Sequence, residues 1–136
     1  TAARIRSEVE WESVNSLLPR GMGKWEERTW SEVRETDAVR AEAFWSSYES
    51  QAAPGGGEPL SDVAERAQHL LTGLGNRASW TKVVACTSAE VIGCMVCSIL
   101  GDDLKTMLRF DVDPLSITRL THTWIGWQLG SLNITP

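Results

Sequence analysis

With 136 residues, of which 42% are hydrophobic and 23% charged, the chain has material for one globular domain with a modest core and not for two. Its 13 basic and 18 acidic residues leave a formal charge of −5, and no short window is basic enough to form a nucleic-acid face. The most apolar uncharged stretch, 91–100, is too short to cross a bilayer, so neither nucleic acid nor membrane is expected as a partner.

The chain opens Thr1-Ala2-Ala3-Arg4 without an initiator methionine or a signal-peptide pattern, in what reads as the middle of a helix. The expectation is that an N-terminal region is missing or supplied separately. A helix piece over 2–14, with a thin stripe of Ala2, Ile5, Val9 and Val14, ends at Leu17-Leu18-Pro19 because proline disfavours helix at the residue before it. Arg20-Gly21-Met22-Gly23 reads as a loop. Thr29 and Glu32 have capping-box spacing, which predicts a helix running to about Tyr48 with an interruption near Asp37. Pro54-Gly55-Gly56-Gly57-Glu58-Pro59 is a loop, after which Ser61 is expected to cap a helix carrying Val63, Ala67, Leu70, Leu71 and Leu74 on one face.

Residues 82–86 form a short β-type run ahead of Thr87-Ser88. The segment 89–100 is apolar almost all round, which predicts a buried helix stopped at Gly101. A short helix over 104–110 follows, then strands over 116–121 and 124–132 that turn near His122-Thr123. The order of elements predicts an α/β or α+β fold. Cys86, Cys94 and Cys97 all lie in apolar surroundings, as expected of a cytoplasmic protein.

Several of these segments fall in a familiar order. Gly23-Lys24-Trp25-Glu26-Glu27-Arg28-Thr29-Trp30 is followed by Gly56-Gly57-Glu58-Pro59 ahead of Leu60-Ser61-Asp62-Val63. Val83-Val84-Ala85-Cys86, Thr87-Ser88-Ala89-Glu90 and Val91-Ile92 come next, and Ser116-Ile117-Thr118 and Gly130-Ser131-Leu132-Asn133 close the chain. Together with Thr1-Ala2, this series resembles the histidine phosphatase superfamily over nearly the whole sequence. The resemblance implies an α/β, phosphoglycerate-mutase-like three-layer sandwich, with 1–136 forming a single domain that is incomplete on its N-terminal side.

The departures from that pattern carry the functional reading. The resemblance implies an Arg-His-Gly motif on the first strand, and these residues contain none. The second active-site histidine of the family falls on Ser88, and its proton-donating glutamate falls on Pro19. A neutral hydroxyl does not replace an imidazolium, and proline has no side-chain proton to give, so no catalytic residue is assigned. Without the family's first strand, the run at Val83-Val84-Ala85 would expose unpaired backbone groups, so a partner polypeptide or a further N-terminal segment is expected to complete the sheet.

Among the remaining candidates, Thr87 and Ser88 stand where a strand end meets a helix start. They read either as an anion cradle for a phosphate- or sulfate-bearing small molecule or as a plain N-cap, with Glu90 opposing an anion. Trp11, Trp80, Trp124 and Trp127 divide between core packing and a partner interface. Cys94 and Cys97 read as packing, because no second pair of ligands accompanies them. His69 and His122 lack an orienting neighbour at a telling spacing. Asp102-Asp103 and Asp111/Asp113 read as caps and solvated loops, so neither a metal nor a cofactor is expected.

The reading that follows is a degenerate subunit working with a second protein chain, in a hetero- or homo-oligomer, the complex performing phosphoryl- or sulfuryl-type group transfer. The alternatives are a non-catalytic scaffold or regulatory subunit, and a phosphatase or mutase whose N-terminal part lies outside this sequence.

Overall fold

A computed structural model describes residues 11–77 and 82–135. The three helices are α1 (Trp30–Ser46), α2 (Leu60–Gly75) and α3 (Ala89–Leu100), and the two strands are β1 (Ile117–Thr123) and β2 (Gly126–Ile134). Short 3-10 turns occupy Asn15–Leu17, Gly23–Trp25 and Leu104–Arg109.

Each helix begins and ends for a local chemical reason. The Thr29 hydroxyl accepts from the amide of Glu32, whose carboxylate accepts from the amide of Thr29, so the capping box opens α1 as expected. The expected interruption also occurs, since Asp37 leaves helical geometry at φ −146° and ψ 45°. The start of α2 differs from expectation. Its N-cap is Pro59, which makes no side-chain cap, and the Ser61 hydroxyl donates to Asp62 instead. Proline fixes the extended entry, and Leu60 in the first turn is fully buried, so packing rather than a hydroxyl cap sets this helix start. Ser88 caps α3, and Gly101 ends it in the left-handed conformation at φ 69°.

The core forms where α2 and α3 meet. Leu60, Val63, Ala67 and Leu71 of α2 recur every third or fourth residue and lie in one apolar cluster with Val91, Cys94, Met95 and Cys97 of α3. Val33, Ala41 and Phe44 of α1, Tyr48 and Met107 belong to the same cluster. The antiparallel pair β1–β2 turns at Trp124-Ile125, two residues beyond the expected place, with Thr123 opposite Gly126 and His122 opposite Trp127. The Thr123 hydroxyl donates to the Gly126 carbonyl and accepts from the Ile125 amide, which fixes the turn there. The Trp127 indole N–H donates to the Leu71 carbonyl at 3.0 Å and pins the hairpin to α2.

Two other expectations need amendment. Residues 11–14, the described part of the piece expected over 2–14, are not helical. Residues 82–86 belong to no strand, although their composition is β-like. A strand assignment requires a pairing neighbour, and among the described residues none lies alongside.

Candidate functional site

The turn before α3 lies beside a cluster of charges that the chain draws from four separate segments. Arg20 comes from the loop after Pro19, Tyr48 from the end of the α1 region, Glu58 and Arg66 from the entry and second turn of α2, and Glu90 from the first turn of α3.

Arg20 is the centre of this cluster, and its side chain is 0% exposed. Its Nε donates to the Glu58 carbonyl at 2.8 Å, and its Nη2 donates to the carbonyls of Gln51 at 2.8 Å and Tyr48 at 3.3 Å. The guanidinium carbon lies 4.6 Å from the centre of the Phe44 ring and 5.0 Å from that of Tyr48. Its Nη1 makes no hydrogen bond and faces Glu90 Oε1 at 3.6 Å. The same oxygen accepts from the Tyr48 hydroxyl at 2.5 Å. Burial, followed by the hydrogen bond and negative charge of Glu90, pushes the Tyr48 phenol well above its ordinary range.

Arg66 forms the second half of the cluster. It holds the Glu58 carboxylate with Nε at 2.8 Å and Nη2 at 3.0 Å, while its remaining N–H groups reach the carbonyls of Asn15, Ser16 and Pro19. The Arg66 hydrogen bonds hold the Glu58 carboxyl below its usual range. These bonds also fix the chain around Pro19, the position onto which the resemblance placed the family's proton donor. Proline itself has no side-chain proton to transfer.

Thr87 and Ser88 sit beside this cluster with both hydroxyls engaged. Thr87 donates to the Leu17 carbonyl at 2.7 Å, and Ser88 accepts from the Val91 amide at 3.5 Å. The structure therefore brings Thr87, Ser88, Glu90, Pro19 and Arg20 into one neighbourhood. Of the four indoles named above, the three within the described residues are not gathered with them. Trp124 is 96% exposed at the hairpin tip, Trp11 is exposed near the start of the described chain, and Trp127 is half-buried against α2. Trp80 lies outside the described residues.

The other candidates take structural places. Cys94 is buried and its thiol is pushed up to about 12 by burial, and burial also raises Cys97, so neither is a ready thiolate. Among the described residues, no three His, Cys, Asp or Glu side chains converge as a metal site. His69 is exposed, and the His122 ring packs edge-on against Trp127 at 5.0 Å. Asp103 caps the turn at Lys105, and Asp113 exchanges hydrogen bonds with Asn133. The clefts beside α1, one of them lined by Arg34, Ala38, Glu42 and Trp45, include none of the charged cluster.

Sequence reasoning missed Arg20, Tyr48, Glu58 and Arg66. The one local signal was an arginine set in an otherwise glycine-rich loop, and its partners lie 28 to 38 positions away.

Comparison with known proteins adds the family context. A profile of the histidine phosphatase superfamily (branch 1) matches residues 1–135. No curated protein sequence matches the chain. Among solved structures, the chain is similar to a putative α-ribazole-5′-P phosphatase from Escherichia coli, with a TM-score of 0.83, 17% identity, and coverage of 97% of this chain and 66% of that one. It is also similar to YhfR from Bacillus stearothermophilus, with a TM-score of 0.75, 21% identity and coverage of 90% and 61%. A phosphoserine phosphatase mutant from Entamoeba histolytica, crystallised with phosphoserine, gives a TM-score of 0.78, 17% identity and coverage of 97% and 66%. The chain thus has their α/β fold and spans 61–66% of the length of these structures.

Proposed function

The chain belongs to branch 1 of the histidine phosphatase superfamily, and from that premise we propose that it is a degenerate subunit whose sheet is completed by a second polypeptide. In this reading the complex, rather than the chain alone, acts on a phosphate- or sulfate-bearing small molecule by group transfer. The observation that carries it is the segment 82–86. It leads directly into the buried helix α3, yet it pairs with no strand among the described residues and leaves Val83 52% and Val84 71% exposed. Two adjacent β-branched residues at the entrance to the best-packed helix suit a central strand with both faces covered. Paired backbone on both sides would also satisfy donors and acceptors that otherwise face solvent.

The ligand class rests on the neighbouring structures, whose names are those of phosphatases acting on phosphorylated small molecules. Trp124 and Trp11, exposed in the chain, supply aromatic area suited to the partner contact. A second reading, a subunit with no turnover in any complex, draws on Pro19 and Ser88 at the family's acid and histidine positions and on an Arg20 already neutralised from within.

Native mass spectrometry of the protein purified from its host tests the proposal. A second, different polypeptide at fixed stoichiometry is the expected result. A chain of 15.0 kDa without a partner, or one heavier chain carrying its own additional segment, would overturn it. Group-transfer activity of the complex that is lost on altering this chain separates the catalytic reading from the scaffold.

A further inference from the structure

We infer that Glu90 is a built-in substitute for a bound anion: its carboxylate is the counter-ion of buried Arg20, and cutting it back opens a site for a tetrahedral oxyanion, phosphate or sulfate, that the intact chain lacks. The argument starts from charge balance. Arg66 and Glu58 neutralise one another in a two-pronged pair, and the rest of Arg66 is taken up by backbone carbonyls. Arg20 has neutral carbonyls on Nε and Nη2, two aromatic faces against its plane, and no hydrogen bond at Nη1. Its charge is therefore balanced chiefly by Glu90, 3.6 Å away.

Access comes through the same residue. The Arg20 side chain is 0% exposed and that of Glu90 is 31% exposed, so solvent meets the pair at the carboxylate. An approaching anion is repelled by Glu90 before it can reach the guanidinium. With that side chain cut back to glycine, Nη1 of Arg20 loses its counter-ion, the hydroxyl of Tyr48 loses its acceptor, and both border the vacated space. The Ser88-capped N-terminus of α3 lies beside that space and adds a favourable dipole. A buried cation without a counter-ion is strongly unfavourable, and an anion taken up from solvent offsets that cost.

This inference rests on the proposed function only for the class of ligand. It is tested by comparing Glu90→Gly and Glu90→Gln with the parent protein in its native assembly. Thermal unfolding is followed in inorganic phosphate, in sulfate, and in chloride at matched ionic strength. The parent and Glu90→Gln, in which the side chain still fills the space, are expected to show only the same unsaturable general stabilisation by phosphate and sulfate over chloride. Glu90→Gly should show a saturable stabilisation by phosphate or sulfate, corresponding to roughly tenfold or tighter binding than the parent. Adding Arg20→Met to Glu90→Gly should abolish it.

A folded Glu90→Gly protein that responds to phosphate no more than the parent overturns the inference. So does a parent that binds phosphate as tightly as the variant. If Glu90→Gly is unfolded in chloride, recovery in phosphate that Arg20→Met removes supports the inference, and failure to recover, or recovery independent of Arg20, counts against it. A negative result leaves completion by a partner untouched, because that is read from native mass.

Discussion

Tyr48 is the one tyrosine of the chain, so its phenolate absorbance reports a single group. Its hydroxyl is buried and donates to Glu90, and both burial and that carboxylate hold the proton on. The folded value lies above the ordinary one of 10.0, which fixes the sign of the pH effect. Below the unfolded value both states keep the proton and the contribution to stability is whole. As pH rises past about 10, the unfolded chain gives up the proton first and stability falls, until the folded value is passed. Ultraviolet titration is expected to show no phenolate in the folded protein at a pH where the denatured chain is half ionised. A Tyr48→Phe variant should lose that alkaline part of the stability profile, whereas normal titration of Tyr48 would mean that the bond to Glu90 is not made. Arg20, at the other end of this group, shows why such a site escapes a reading along the chain. An arginine beside a proline in a loop reads as solvated, and only the arrival of Phe44, Tyr48, Gln51 and Glu58 around it makes it a buried cation.

The elements differ in how tightly they are seated, and two glycines measure this. A Cβ at Gly93 of α3 would lie 2.9 Å from Met107 Cε, which can swing aside, and 3.0 Å from Met107 Cβ, which moves only with its backbone. A Cβ at Gly73 of α2 would meet nothing within 4 Å. Gly93→Ala is therefore expected to destabilise by about 1–3 kcal/mol, because the turn Leu104–Arg109 must move away from α3. Gly73→Ala should stabilise by up to about 1 kcal/mol through helix propensity alone. Urea unfolding of the two variants tests both signs, and equal effects would mean that α3 is not packed as described. The element boundaries that were legible in the sequence rest on neighbours within four positions, such as Thr29 with Glu32 and Ser88 with Val91. Ser61 had the same local chemistry and did not become a cap, because Pro59 and the burial of Leu60 had already set the start of α2.

At the scale of the whole molecule, the segment 82–86 separates the chain alone from the chain in its proposed assembly. Its backbone should exchange amide hydrogens freely in the isolated chain and become protected in the complex, while α3 stays protected in both. Unchanged fast exchange across Val83, Val84 and Ala85 in the complex would remove the strand-completion argument. Composition, the caps of α1 and α3, the apolar face of α2, the all-round apolar α3 and the closing hairpin were determined by the sequence itself. The resemblance, too, placed the family's acid on Pro19 and its histidine on Ser88 from residue identities and not from geometry. Those features follow from side-chain chemistry and hydrogen bonds that span a few residues. Tertiary structure alone decided that Arg20 is buried, that Glu90 is its counter-ion, and that a β-like run has no strand beside it among the described residues. The physical reason is that the energy of a buried charge or a strand edge depends on groups brought in from distant positions, and no pattern within a short window encodes their arrival.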